Sequence, residues 1–442
     1  MLSAMGFILV IAMVALIIRG KVALPPILVL LPTAAVFILG FASGQGPVEI
    51  LGTLKGYMNT GYNSVLSTCA LFTFAVVYFN ILSDAGMFDV IIAKVMKYIG
   101  NNISIILLMT CFLTTISHLD GSGATTMLIT IPTMLPLFKK MKVSPTLLVL
   151  YVGMVSGVVN MLPWTSALAR VAAATGVEAR DIWNALLPVQ IVGLLICYGS
   201  CFLVGPMLKK KGYGMSDAEF AQLKQDMLKP ADPVLKVGKG ALIFDMVLTL
   251  VMVIAMLFGW INTNLCFMIG LSLALLANCK GAREMTAQIK KHGATALNMV
   301  MIIFCIGLLV GVMKDSGMMG AMTNTLMAMV PESLSTHLMF IISLLSVPLS
   351  MVVGSDTLYM VMSPIFAELS IAYGGTALNA CCACVIGACI AANLCLVAPT
   401  PYLALGLAGV EMKDNLKTCF IPIWALGIVL AIAGAIFGAY SF

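Results

Sequence analysis

Three charged residues fall at or beside breaks in long apolar runs. Asp120 lies in Ser117-His118-Leu119-Asp120-Gly121-Ser122-Gly123, and Asp356 lies in Val353-Gly354-Ser355-Asp356-Thr357. Arg170 ends the stretch Thr165-Ser166-Ala167-Leu168-Ala169-Arg170. An acid at bilayer depth is costly enough to be a functional candidate by default, and each Asp can bind a cation or carry a coupled proton. Each can equally cap the following helix limb if its turn reaches the aqueous boundary. The Arg170 guanidinium can clamp a carboxylate with two parallel hydrogen bonds, or be used up in a structural ion pair. His118 can relay a proton or simply be a satisfied polar group.

Two more breaks bear on the same chemistry, Asn160-Met161-Leu162-Pro163-Trp164-Thr165 and Ala398-Pro399-Thr400-Pro401. Proline inside a helix removes a backbone hydrogen bond and frees a carbonyl. The helix that restarts beyond it presents N-terminal amides with partial positive charge. Such ends suit carboxylates, while freed carbonyls and hydroxyls suit Na+. The substrate-binding candidates are therefore Ser122, Gly123, Asn160, Thr165, Ser166, Arg170, Ser355, Thr357, Asn393 and Thr400. The ion-coupling candidates are His118, Asp120, Gly121, Gly354 and Asp356. No catalytic residue and no metal-ligand set is assigned.

The elements that must position these groups follow from composition. Of 442 residues, 61% are hydrophobic and 10% charged, and the mean hydropathy is +1.08. A soluble protein carries about 25% charged residues. Eighteen acids and 24 bases cannot wet the surface of a chain this long. A soluble enzyme, a disordered chain and a nucleic-acid binder are excluded, and the lipid bilayer is the solvent. The 13 cysteines fall mostly in apolar segments and read as small packing residues.

A spanning helix needs about 20 mainly apolar residues. Such stretches lie at 3–18, 23–43, 63–82, 144–176 and 183–206, then at 242–260, 264–278, 295–313, 376–398 and 418–440. The first is expected to be a retained helix, because it lacks a basic leader and a small-residue cleavage site. Two other segments, 103–138 and 337–370, are apolar limbs of about 14 residues joined by the Asp120 and Asp356 turns. These read as re-entrant hairpins. The expected fold is an all-α polytopic membrane protein, with about ten spans and two hairpins. Segments 84–100 and 314–331 are expected to lie in the membrane interface, and Asp245 and Glu368 are placed at interfaces without a role.

With the N-terminus outside, 20 of the 24 Lys and Arg fall on the cytoplasmic side, as the positive-inside rule requires. Both termini are then extracellular or periplasmic, in a cell (inner) membrane. Five spans per half make the halves opposite in orientation. At a constant offset of 233, Gly121-Ser122 echoes Gly354-Ser355, Asn160 echoes Asn393, and Gly176-Val177-Glu178 echoes Gly409-Val410-Glu411. The expected organisation is a repeat over 1–206, with broken helix 144–176 and helix 183–206, and a cytoplasmic linker over 207–241. An inverted repeat over 242–442 follows, with broken helix 376–413. Inverted repeats with interrupted helices characterise secondary transporters.

Leu119-Asp120-Gly121-Ser122-Gly123-Ala124-Thr125-Thr126-Met127-Leu128-Ile129 resembles a signature of the citrate–metal–proton symporters (CitMHS), within the ion transporter superfamily. Val159-Asn160-Met161-Leu162-Pro163-Trp164, with Ala169-Arg170 after it, is similar to that family's second signature. Gly354-Ser355-Asp356-Thr357 and Gly406-Leu407-Ala408-Gly409-Val410-Glu411 resemble the mirrored elements. The resemblance implies uptake of citrate or a related di- or tricarboxylate, coupled to H+ or Na+, with Mg2+ or Ca2+ carried on the anion. It also implies the elevator fold of the divalent anion:sodium symporters and a homodimer. The first tip departs from the family's pattern, reading Asp-Gly-Ser-Gly-Ala where members commonly have Asp-Gly-Asp-Gly-Ser. Losing that acid weakens the case for a metal in the substrate. The competing readings are an antiporter of the same superfamily, exchanging an organic anion or Na+ for H+, and an intramembrane aspartyl protease using Asp120 with Asp356.

Overall fold

In lipid a backbone has to satisfy its own hydrogen bonds, and a helix does so within one segment. The described residues accordingly form helices and no strand. A computed structural model describes the chain except positions 20, 89, 91–99, 218, 222–234, 236, 259, 330–331, 397 and 442. The first half contains α1 (Leu2–Arg19), α2 (Leu24–Ala42), α3 (Pro47–Asp84), α4 (Ile103–Ser117), α5 (Gly123–Lys140), α6 (Pro145–Val159), α7 (Ser166–Thr175) and α8 (Ala179–Lys210). The second contains α9 (Lys239–Leu257), α10 (Thr263–Asn278), α11 (Ala282–Asp315), α12 (Met318–Met329), α13 (Leu338–Val353), α14 (Ser363–Ala372), α15 (Ala377–Ile390), α16 (Pro399–Ala408) and α17 (Met412–Ile436).

Local sequence sets the ends. Pro47 and Pro145 open α3 and α6, where a missing N–H costs nothing. Thr376 and Asn379 form a reciprocal capping box on α15. Gly176 and Gly409 stop α7 and α16 with φ of 76° and 68°, a left-handed conformation that favours glycine. Glu178 and Glu411 then stand at the N-caps of α8 and α17. These two pairs of echoing residues thus hold the same places at helix ends in the two halves.

Eight helical segments among the described residues are long and apolar enough to cross a membrane. Seven match expected spans, and the eighth is the first hairpin limb, Ile103–Asp120. The expected spans at 3–18, 144–176 and 264–278 are apolar helices that are short or broken. Helix α3 has 38 residues and α11 has 34, so both start well before their apolar runs. The hairpin limbs also outrun the expected length, with 15 residues in α4 and 18 in α5. Of the two interfacial segments, 89 and 91–99 lie outside the described residues, as do 218, 222–234 and 236 of the linker. The other is α12, which packs on α1 and α14 and buries Met318, Met319, Met322 and Thr323. It is more than a surface float.

Two backbone-to-backbone crossings organise the packing. At the first, a Cβ on Gly61 of α3 would overlap the Gly307 carbonyl of α11, and one on Gly311 would overlap the Tyr57 carbonyl. Gly307-Leu308-Leu309-Val310-Gly311 has the small-xxx-small spacing that lets membrane helices touch. At the second, a Cβ on Gly157 of α6 would lie 2.7 Å from Ile390 Cα and 2.9 Å from the Cys389 carbonyl oxygen. All 13 cysteines are free, and all but Cys305 are buried.

Asp245, expected to have no role, makes a buried polar contact. It is fully buried on α9, and Asn278 Nδ2 of α10 donates to its Oδ1 at 3.0 Å. Asp245→Asn can keep a polar contact there, whereas Asp245→Ala removes the acceptor. The alanine variant is expected to lose about 1–3 kcal/mol of stability and the asparagine variant less. Thermal unfolding of the purified protein in detergent compares them, and equal losses would remove the hydrogen bond from the account.

Candidate substrate and ion site

The two hairpin tips and the two helix breaks meet around one cavity of about 290 Å³. Of the fifteen candidates, His118, Gly121, Ser122, Gly123, Asn160, Ser166, Arg170, Ser355, Asp356, Asn393 and Thr400 line it. Asp120, Thr165, Gly354 and Thr357 are not among the lining residues. Tyr359, Cys389, Ser156 and Gly157 also line it and were not anticipated. Tyr359 and Cys389 carried no distinguishing local signal. Ser156 and Gly157 lie within one turn of the anticipated Asn160, which was a usable clue.

The first tip is built by local bonds. An Asp120 carboxylate oxygen accepts the Ser122 N–H at 2.8 Å, and Ser122 Oγ accepts the Thr125 N–H at 3.3 Å, which caps α5. Of the two readings open for Asp120, this geometry displays the turn-forming one. Trp164 Nε1 donates to the Leu119 carbonyl at 2.8 Å and pins the tip to the first break. Trp164 itself stacks on Phe79 of α3, ring centres 5.5 Å apart. Inside the break, the Thr165 hydroxyl lies 2.6 Å from the Asn160 carbonyl and 2.8 Å from that of Leu162. It serves the backbone groups freed near Pro163, which explains why Thr165 is buried and faces away from the cavity.

His118 is held just as locally. The Thr126 hydroxyl donates to the Ser122 carbonyl at 2.8 Å. Its oxygen also lies 2.7 Å from His118 Nδ1, and His118 Nε2 lies 3.4 Å from Asn160 Oδ1 on the cavity wall. The second break is symmetrical in kind: Asn393 Nδ2 donates to Ser156 Oγ at 3.1 Å and ties the two broken helices together.

The second tip carries the ion pair. A short turn, Ser355–Thr357, runs into a widened turn, Leu358–Met362, before α14 begins. Ser355 Oγ shares a hydrogen bond with Ser350 Oγ at 2.7 Å and donates to the Ala388 carbonyl at 3.2 Å. The Thr357 hydroxyl donates to the Val353 carbonyl at 2.7 Å and is consumed there. Asp356 Oδ1 then meets Arg170 Nη1 of α7 in an ion pair between the halves. Their side chains are 36% and 16% exposed, so the pair sits at the cavity wall and is not sealed in the protein. Arg170 thus faces the cavity and also holds a partner, which joins two readings that the sequence left as alternatives. Asp120 and Asp356 do not face each other across the cavity, as an aspartyl protease would need.

One guanidinium, one carboxylate, several neutral hydroxyls and amides, and the start of α7 around a small cavity suit an anionic solute. A helical bundle with such a cavity at its interrupted helices has the architecture of a multi-pass membrane transporter. A family model described as citrate transporter, CitMHS, matches residues 7–290. The chain is 30% identical over 452 aligned residues to the citrate transporter of Bacillus subtilis (strain 168), covering 100% of each. It is 28% identical to that organism's Mg(2+)/citrate complex secondary transporter, over 100% of this chain and 99% of the relative. Among solved structures, the YdaH transporter of Alcanivorax borkumensis matches with a TM-score of 0.57 at 12% identity, covering 88% of each chain. That likeness concerns the fold. The chain belongs to the citrate transporter family.

Proposed function

We propose that the protein is a secondary transporter that moves citrate, or a related di- or tricarboxylate, by symport with a cation. The observation that carries this reading is the Arg170–Asp356 pair on the wall of a cavity built from both tips and both breaks. A volume of about 290 Å³ lies at the small end for ligand sites and suits a compact polycarboxylate. The relatives' names add citrate and its Mg2+ complex as the first solutes to try. Among the described residues no three His, Cys, Asp or Glu gather as a metal site. A divalent ion entering here would therefore come mostly ligated by the anion's own carboxylates, as cargo. H+ and Na+ are the coupling ions we place beside it. Proteoliposome uptake of a carboxylate panel, with and without Mg2+, Ca2+, Na+ and a pH gradient, tests the proposal. Equilibration of citrate without gradient-driven accumulation would rule out symport.

In this reading 1–206 and 242–442 are inverted repeats, both termini face outside, and the protein works as a homodimeric elevator in the cell membrane. Its support is the sequence echo, the shared roles of Gly176 with Gly409 and Glu178 with Glu411, and the lysine distribution. Single cysteines at 118–123 are expected to react from the cytoplasmic side and those at 354–358 from the outer side. Labelling of both sets from one side by an impermeant maleimide would end the inverted-repeat reading.

A further inference from the structure

The ion pair on the cavity wall also gives an anion and a metal a reason to arrive together. Arg170 and Asp356 neutralise one another, and an unpaired charge at this depth is costly. Among the described residues, the guanidinium has no hydrogen-bond partner besides Asp356. An incoming carboxylate can reach Arg170 fully only by competing with Asp356. Once it has done so, two carboxylates share one guanidinium and the site carries excess negative charge. A free divalent cation faces the mirror problem, because it must take Asp356 from Arg170 with no second carboxylate at hand among the lining residues. Mg2+ typically keeps several waters and takes one or two protein carboxylates besides its anionic ligands. One Asp suffices for a metal that the anion already chelates.

We infer that the Arg170–Asp356 pair is an exchange switch: the anion takes Arg170, and the Asp356 it releases binds the divalent cation borne by that anion. The inference rests on the transport reading above and assigns the coupling within it. Anion and metal then raise each other's affinity by one factor, as linkage requires.

Titration calorimetry of the full-length purified protein with citrate, alone and with excess Mg2+, tests it. Wild type is expected to bind the Mg2+ form about tenfold or more tighter than metal-free citrate. In Asp356→Asn, Arg170 has lost its competitor, so metal-free citrate should bind about fivefold tighter than in wild type. The Mg2+ enhancement should vanish in the same variant. Asp356→Glu keeps a carboxylate and should retain the enhancement, which separates this role from general damage to the fold. An Asp356→Asn protein that binds metal-free citrate more weakly, or keeps the full Mg2+ effect, overturns the switch alone. A wild type that binds no carboxylate with or without Mg2+ overturns the transport reading and the switch with it.

Discussion

Arg170→Ala is expected to abolish measurable uptake while leaving the protein folded in the membrane. The guanidinium is the permanently charged base among the residues lining the cavity, and it sits on α7 just after the first break. Losing two charge-assisted hydrogen bonds to a substrate carboxylate costs about 3 kcal/mol or more. That corresponds to a fall of about 100-fold or more in kcat/KM for the anion. Arg170→Lys should recover only part of it, because an ammonium cannot provide the planar two-point contact. Asp356 is partly open to the cavity and can be hydrated when left alone, so yield and monodispersity should change little. Initial uptake rates against citrate concentration give the answer, and wild-type values for Arg170→Ala would leave Arg170 with a structural role only.

Gly61→Ala is expected to damage assembly itself. The added methyl would overlap the Gly307 carbonyl, which belongs to a facing backbone and cannot swing aside. Helices α3 and α11 would have to separate along their most intimate contact. Overpacking of this kind costs about 1–3 kcal/mol even where side chains can adjust, and here they cannot. Gly56 on the same helix has nothing within 4 Å of a Cβ, so Gly56→Ala is the control and should be harmless. Thermal unfolding and expression yield compare the two, and equal behaviour would remove the crossing as a determinant of stability.

Much of this is legible in the sequence. Charge scarcity fixed lipid as the solvent, and each break in an apolar run fell on a real helix end. Eleven of the fifteen named residues reached one cavity because glycine, proline and polar groups at depth are tolerated mainly where backbone lines a cavity. Asp120 and Thr165 are informative exceptions. Both are polar residues beside a break, yet each spends a side-chain oxygen on a backbone group of its own turn. Sequence alone cannot distinguish an oxygen that repairs a break from one that faces a solute. Tyr359 was missed because one aromatic residue in an apolar run has no periodic signature. The Gly307–Gly311 spacing was visible but unread, since its meaning depends on what Gly61 brings against it.

The cavity has a property that its lining residues make plain when they are sorted by origin. Arg170 needs Asp356, Gly123 approaches Thr400, Asn393 leans on Ser156, and Gly157 rests on Ile390. In each case one member precedes the central segment and the other follows it. Both halves wall this cavity, so it exists as a joint between the two. A change confined to one half therefore alters the surroundings of the other, and the halves are bound to vary as partners. Whatever solute this chain selects, it selects with two half-sites that were never independent.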